Sequence, residues 1–497
     1  MVQLHEKTGV TLIVAYATSG LSQVASQAFF ILVFRFLPVG DVGIYSWAIA
    51  VASIYTYVMN LGLTTFLVVE LSSKVFRLYQ VLLAVAIVRF PALILGWGLL
   101  QAWVWVSEPS RMEYQVVAVV ILTYFVQLVE SGILPWLQVR QQQNAANALG
   151  LVLPMGRLLG IVILWFGHNA TLWNIVMLVF VMQGVEVLCF VLFAFYDAHR
   201  PANIDGLKYG VEHLLREFWK RGPKLTVMYL AMALQSRLDW LLVSSLLSNV
   251  ALANYSLANK VLEFGTTLVG IGTRTTFPWQ SRLDADGPVL KSRLGLVRRV
   301  FALTSILLGV GLFFWSPTLA RWFFGDKYLS AEGAMRLMSI VSIVFMLNQY
   351  LLYTVLAKKM EKEYTPFVLL ATLIQILVDL VLVPHLGIEG AAWGMLAMGI
   401  VVHIAQMGLL LRENVFEGSE MVRLEASVLC SVGIITILEV ITPNHIFSSF
   451  VSLFTIGLLG SFVVLKRDDW AQFSAWSYEA LTTAAKYSAR RTGSGLN

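Results

Sequence analysis

The sequence predicts an all-α polytopic membrane protein with about fourteen transmembrane helices. Twelve of them would form two pseudo-symmetric six-helix lobes around a central cavity, with two further helices at the C-terminal end. Three observations predict this class. The 497 residues are 58% hydrophobic and only 13% charged, against roughly 25% charged in a soluble domain. The apolar residues fall into separate blocks of spanning length divided by short polar connectors. A faint internal repeat relates the two halves.

The first block, 11–34, is longer than the apolar region of a signal peptide and another block follows at once, so it is read as an uncleaved first span. The next spans are placed at 44–67, 79–103, 114–138, 148–167 and 171–196, completing the first lobe within residues 1–200. Spans at 225–247, 252–278, 300–319, 334–357, 366–383 and 390–411 make a second lobe, 225–412. The last two, 424–441 and 447–465, lie within 413–465.

With the N-terminus inside, only Arg35, Arg111, Arg321 and Lys327 of the 35 Lys and Arg fall in outer connectors, and six more fall within spans. The remainder lie on the inner side, which fixes the orientation with both termini cytoplasmic. The net charge of +6 is thus explained by topology and requires no nucleic acid. Cys189 and Cys430 sit inside apolar blocks as small hydrophobes, and the seven histidines show no metal-ligand spacing. No cofactor or metal is expected.

An offset of 210 lays Gly43–Val51 on Ala253–Val261, matching Tyr45 with Tyr255, Ser46 with Ser256, Ala48 with Ala258 and Val51 with Val261. Both segments begin the second span of their half and start from the same side, so the repeat is parallel, about an axis along the membrane normal. Two lobes related in this way face each other across a cavity. In the basic linker 201–224, Leu207, Val211, Leu214, Leu215 and Phe218 recur at helical spacing, predicting an amphipathic helix on the inner surface. The tail 466–497 opens with Trp470, Phe473 and Trp476 three residues apart, predicting an interfacial helix before a disordered end.

An ionised side chain at the bilayer centre costs about 2.5–3.5 kcal/mol on insertion scales. Charges inside spans therefore line water or pair with one another. On the eighth span Lys260, Glu263, Thr267 and Arg274 share one helix face. Lys260 and Glu263, three apart, either pair within the helix or meet a ligand. Arg274 has no acidic residue within four positions and is either a ligand contact or an interfacial anchor.

The seventh span carries Gln235 and Asp239 on one face with Arg237 turned away. Across the proposed cavity the first span offers an uncharged polar face of Thr18, Ser19, Ser22, Gln23, Ser26 and Gln27. Arg237, Lys260, Arg274, Gln23 and Gln27 are the candidate substrate contacts; Asp239 and Glu263 are candidate coupling or ion-pair groups. The basic excess on the second lobe's helices favours an anionic substrate. Arg89, Glu130, Arg157, Glu186, Asp379 and Glu439 also lie within spans, too far apart in sequence to be paired by inspection. With short outer connectors and no phosphate-cradling loop, metal-ligand cluster or nucleophile motif, the chain is not expected to be an enzyme.

Four stretches carry a family resemblance: "RFLPVGDVGIYSWAIAVASIY" from Arg35, "RLDWLLVSSLLSNVALANYSLANKV" from Arg237, "FGDKYLSAEGAMRLMSI" from Phe324 and "VPHLGIEGAAWG" from Val383. In this order they resemble the polysaccharide and O-antigen flippases of the multidrug/oligosaccharidyl-lipid/polysaccharide exporter superfamily. The first loop departs from the family's leucine-glycine-proline, reading Leu37, Pro38, Val39, Gly40. The resemblance implies alternating access and the carriage of a lipid-diphosphate-linked oligosaccharide from the inner to the outer leaflet of the cell inner membrane. It implies cationic cavity residues on the diphosphate, membrane lipids as surroundings, and a polymerase or glycosyltransferases of the same pathway as partners. A cation-coupled multidrug exporter of the same superfamily ranks lower, since the first span carries no acidic group. A non-transporting scaffold of a polysaccharide synthesis complex would have no use for a charged stripe inside a span.

Overall fold

Lipid offers no hydrogen-bond partner to a peptide group, so apolar blocks of this length satisfy their backbones internally, as helices. The computed structural model describes residues 2–415 except 61–62, 74–75, 108–109, 141, 200–209, 281–286 and 359, with isolated positions beyond 415. Among the described residues the regular structure is helical throughout.

In chain order the helices are α1 (Val2–Phe36), α2 (Val39–Asn60), α3 (Leu63–Ser73), α4 (Leu78–Ser107), α5 (Arg111–Val139), α6 (Gln143–Leu149) and α7 (Val152–Phe166). They continue as α8 (Leu172–Ala198), α9 (Val211–Leu246), α10 (Asn249–Gln280) and α11 (Gly287–Phe324). After a 3₁₀ segment, Asp326–Ala331, come α12 (Glu332–Ala357), α13 (Glu361–Leu386) and α14 (Ile388–Arg412). The predicted spans from 11–34 to 390–411 fall on helix, the second being shared between α2 and α3 and the fifth between α6 and α7 across a turn at 150–151. The spans 424–441 and 447–465 and the tail lie outside the described residues. Eight described helical segments are long and apolar enough to cross a membrane.

Local chemistry sets the helix ends. Ser110 caps α5 through a capping box: its hydroxyl accepts from the Glu113 N–H at 3.2 Å while the Glu113 carboxylate accepts from the Ser110 N–H at 2.9 Å. Thr171 caps α8 by accepting from the Asn174 N–H at 3.3 Å. Between α13 and α14 the chain reverses at Gly387, φ +63°, a left-handed conformation that glycine adopts without steric cost.

By packing, the chain divides into two compact units. One comprises Met1–Leu257, Ala320–Ala331 and Thr372–Gly394; the other Ala258–Leu319, Glu332–Ala371 and Met395–Asn497. In the first unit a core of Leu63, Phe66 and Leu67 (α3), Val81 and Val88 (α4), Ile133 and Leu137 (α5) and Phe190 (α8) also takes in Leu214 and Phe218. The apolar stripe read in the linker thus heads α9, where Phe218 meets Phe66 edge-on at 5.4 Å. In the second unit Ile306, Val310 and Phe313 of α11 pack on Ile343 of α12.

The first unit also joins the ends of α1 and α11. Arg35 donates to the carbonyls of Trp322 and Phe323 at 3.0 and 3.1 Å, and Lys327 donates to those of Arg35 and Leu37 at 3.1 and 2.6 Å. Each helix terminus, with its unpaired carbonyls, is thereby capped by a cation from the other segment. Burial and the Arg35 guanidinium lower the Lys327 ammonium below the ordinary lysine range.

Deeper in this unit, buried Arg89 bridges the junction of α2 and α3. Its guanidinium donates to the Asn60 side chain at 2.8 Å and to the Leu128 carbonyl on α5. Arg89→Ala removes these charge-assisted bonds and leaves a void, and is expected to cost about 2–3 kcal/mol. Arg89→Met, filling the volume without a buried charge, should cost clearly less. Equilibrium unfolding of the purified variants measures the difference.

The repeat has a direct structural counterpart. Ser46 donates to Ser256 at 3.0 Å, buried, and these serines are matched by the offset of 210.

Candidate functional site

The predicted site residues lie in different surroundings. Lys260 and Glu263 form the within-helix pair, 2.6 Å apart and part-buried, in the second unit. Arg274 is on the same helix, α10; its side chain lies outside the described residues. Gln23 and Gln27 are part-buried on α1. Arg237 of α9, half-buried, lays its guanidinium over the Trp240 ring, 4.5 Å from its centre, a cation–π contact.

Asp239 is the buried member of the candidate set, with 0% of its surface exposed. The Tyr255 hydroxyl of α10 donates to its Oδ2 at 2.5 Å, leaving Oδ1 buried without a hydrogen-bond partner. Asp379 of α13, also 0% exposed, has neither oxygen partnered, and it lies close enough to Asp239 for the two carboxyls to repel. One turn back, Gln375 buries both amide atoms without a partner. A Cβ at Gly394 of α14 would stand 1.8 Å from Asp379 Oδ1, so the glycine lets that helix pass over the carboxyl without displacing it.

An unsatisfied buried carboxylate is costly, and two facing each other are more so. A buried carboxyl of this kind is stabilised by a proton or by a bound cation. Two carboxyls, a phenol oxygen and a carboxamide oxygen are hard donors of the kind that hold a proton or a hard monovalent cation in transporters.

Sequence reading found Asp239 and left its partners unassigned. Asp379 was visible as an in-span acid, and Gln375, four residues earlier, falls on the same helix face. Their approach to a residue 140 positions away depends on packing alone.

The sequence matches the family described as "Polysaccharide biosynthesis protein" over residues 32–333. No curated protein matches the chain by sequence. Among solved structures, the fold is similar to a lipid II flippase, MurJ, in an inward closed conformation: TM-score 0.70, 13% identity, 90% of this chain and 98% of that one covered. It is also similar to an inward-facing multidrug resistance MATE family transporter of the MOP superfamily, with TM-score 0.54, 12% identity and coverage of 81% and 94%. A eukaryotic MATE transporter gives TM-score 0.52, 15% identity and coverage of 89% and 98%. These likenesses establish the fold, and the sequence match extends over more than half of the residues. The chain therefore belongs to the polysaccharide biosynthesis protein family and is a multi-pass membrane protein with the fold of MOP-superfamily transporters.

Proposed function

We propose that this protein is a flippase that carries a lipid-diphosphate-linked oligosaccharide across the cell inner membrane by alternating access. The observation that carries the reading is the family match over residues 32–333 on a fold similar to a lipid II flippase. In this reading Lys260, Arg237 and Arg274 attract the diphosphate, and Gln23 and Gln27 contact the glycan. Glu263 already holds the Lys260 ammonium at 2.6 Å, so an arriving phosphate competes with it for one charge. Asp239, with Asp379, binds the coupling cation.

Deleting the gene in its host and following lipid-linked oligosaccharide in each leaflet tests the reading. Loss of surface polymer with precursor held on the inner leaflet is expected. In the complemented strain, Lys260→Ala with Arg274→Ala is expected to cut surface glycan about tenfold at normal protein level, a loss of about 1.4 kcal/mol of transition-state binding. Unchanged export would remove both residues from the substrate site.

The buried Asp239–Asp379 pair also suits a second reading, a cation-coupled exporter of small molecules. Normal surface glycan together with new drug sensitivity in the deletion strain would establish that one instead.

A further inference from the structure

Two of the stretches that carry the family resemblance, the one from Arg35 and the one from Phe324, meet at the ends of α1 and α11 through the reciprocal bonds of Arg35 and Lys327. Tyr328 adds a bond from its hydroxyl to the Phe34 carbonyl at 3.2 Å. All of these residues belong to the first unit. Capping does not exhaust the two cations. Both Arg35 bonds leave from Nη1 and the residue is exposed, so the Nε–Nη2 edge of its planar fork is left for an oxyanion. The exposed Lys327 ammonium gives two of its three N–H groups to carbonyls and keeps one.

Charge at this place is not balanced. Each helix C-terminus offers roughly half a negative charge, so the two termini offset about one of the two cations. Asp41 and Asp326, the acids of the two connectors, form no ion pair among the described residues. The topology drawn from the sequence leaves only Arg35, Arg111, Arg321 and Lys327 in outer connectors, and all but Arg111 fall in these two segments. Aromatic rings flank the cations. Phe36, next to Arg35, stacks on Trp165 of α7 at 5.4 Å, and Phe166 beyond it is 71% exposed. Trp322, whose carbonyl Arg35 holds, is 68% exposed. Exposed tryptophan and phenylalanine at the ends of spanning helices lie at the level of the lipid headgroups. The molecule offered to the cations there is a lipid, and the unbalanced positive charge selects an anionic one.

We infer that Arg35 and Lys327, with the exposed Trp322 and Phe166 rings beside them, form a binding site for the phosphate of an anionic phospholipid at the ends of α1 and α11. The Arg35 fork and the remaining Lys327 N–H meet the two unesterified phosphate oxygens, and the acyl chains run past the exposed rings into the bilayer. The bound phosphate offsets the repulsion between the two cations, so the lipid strengthens the junction of α1 with α11.

Fluorescence quenching of the full-length protein in nanodiscs tests this at the site itself. In a chain with Cys189 and Cys430 replaced, a fluorophore is attached at Ser330→Cys, an exposed position close to Lys327 in sequence. Brominated phosphatidylglycerol and brominated phosphatidylcholine are compared as quenchers at equal mole fraction. A preference of about fivefold for the anionic lipid is expected with Arg35 and Lys327 in place. It should fall to equality in Arg35→Gln/Lys327→Gln, whose amides still donate to the carbonyls without charge. Equal quenching by both lipids before mutation, or an undiminished preference in the double variant, would overturn the proposal. Inorganic phosphate, added against chloride of the same ionic strength, is expected to leave the preference in place. Its abolition by phosphate would make this a free-anion site and refute the lipid assignment. If the double variant does not fold, Lys327→Gln decides, since Arg35 keeps its own bonds: the preference is expected to fall, and an unchanged value would refute the site. No lipid-linked glycan takes part, so failure here is separate from failure of the flippase reading.

Discussion

Asp379→Asn is expected to lower transport at least about tenfold while leaving thermal stability equal or raised. The reasoning starts from desolvation. Asp379 is wholly buried with both oxygens unpartnered, beside a second buried acid. Asparagine has nearly the same shape, so α13 and α14 can still pack with Gly394 over the site. Replacing a buried acid by its neutral amide removes the cost of ionising it there and its repulsion with Asp239, and stability therefore does not fall. The same change removes a group that exchanges a proton or a cation, so coupled transport falls. Surface glycan per molecule of protein and the melting temperature of the purified variant are the two measurements. A fall in stability without loss of export would mean that the carboxyl is structural, and the coupling assignment would be lost. Asp239→Asn is expected to act in the same direction with some loss of stability, because it weakens the bond from Tyr255.

Gly43→Ala is expected to separate α2 from α10. A Cβ at Gly43 would lie 1.9 Å from the Asn249 carbonyl oxygen, against an ordinary contact of 3.4 Å or more. The obstruction is backbone, and it cannot rotate away. Asn249 is itself held, donating to Glu113 at 3.0 Å and accepting from Ser244 at 3.2 Å. The helices must part by roughly 1.5 Å, and overpacking of this kind costs about 1–3 kcal/mol. If transport requires this contact to close and open, the variant favours the open arrangement.

The matched serines make this measurable. In a chain with Cys189 and Cys430 replaced, Ser46→Cys with Ser256→Cys should oxidise to a disulfide, since the serine oxygens are 3.0 Å apart. Adding Gly43→Ala should lower the yield several-fold. Equal cross-linking with and without the methyl group would show that α2 and α10 adjust without separating.

Much of this was legible in the residues. The described spans follow from runs of apolar side chains, because in a bilayer the backbone has no alternative to helix. The repeat was legible from four matches at one offset, and Ser46 meeting Ser256 gives that offset a physical meaning. The Lys260–Glu263 pair was legible because its spacing is set by one helix. The amphipathic stripe of the linker was legible too, while its burial among α3, α4, α5 and α8 depended on what packs above it.

The sequence by itself determined the class, the helices, the internal repeat and which charges stand inside apolar segments. Tertiary structure alone decided where those charges sit: Asp239 under the Tyr255 hydroxyl and near Asp379, and Arg157 over Phe29. The physical reason is range. Helix formation, capping and neighbour pairing act over a few residues and are written in local spacing. A contact between helices is set by how whole faces pack, and residues far apart in the chain carry no local mark of it.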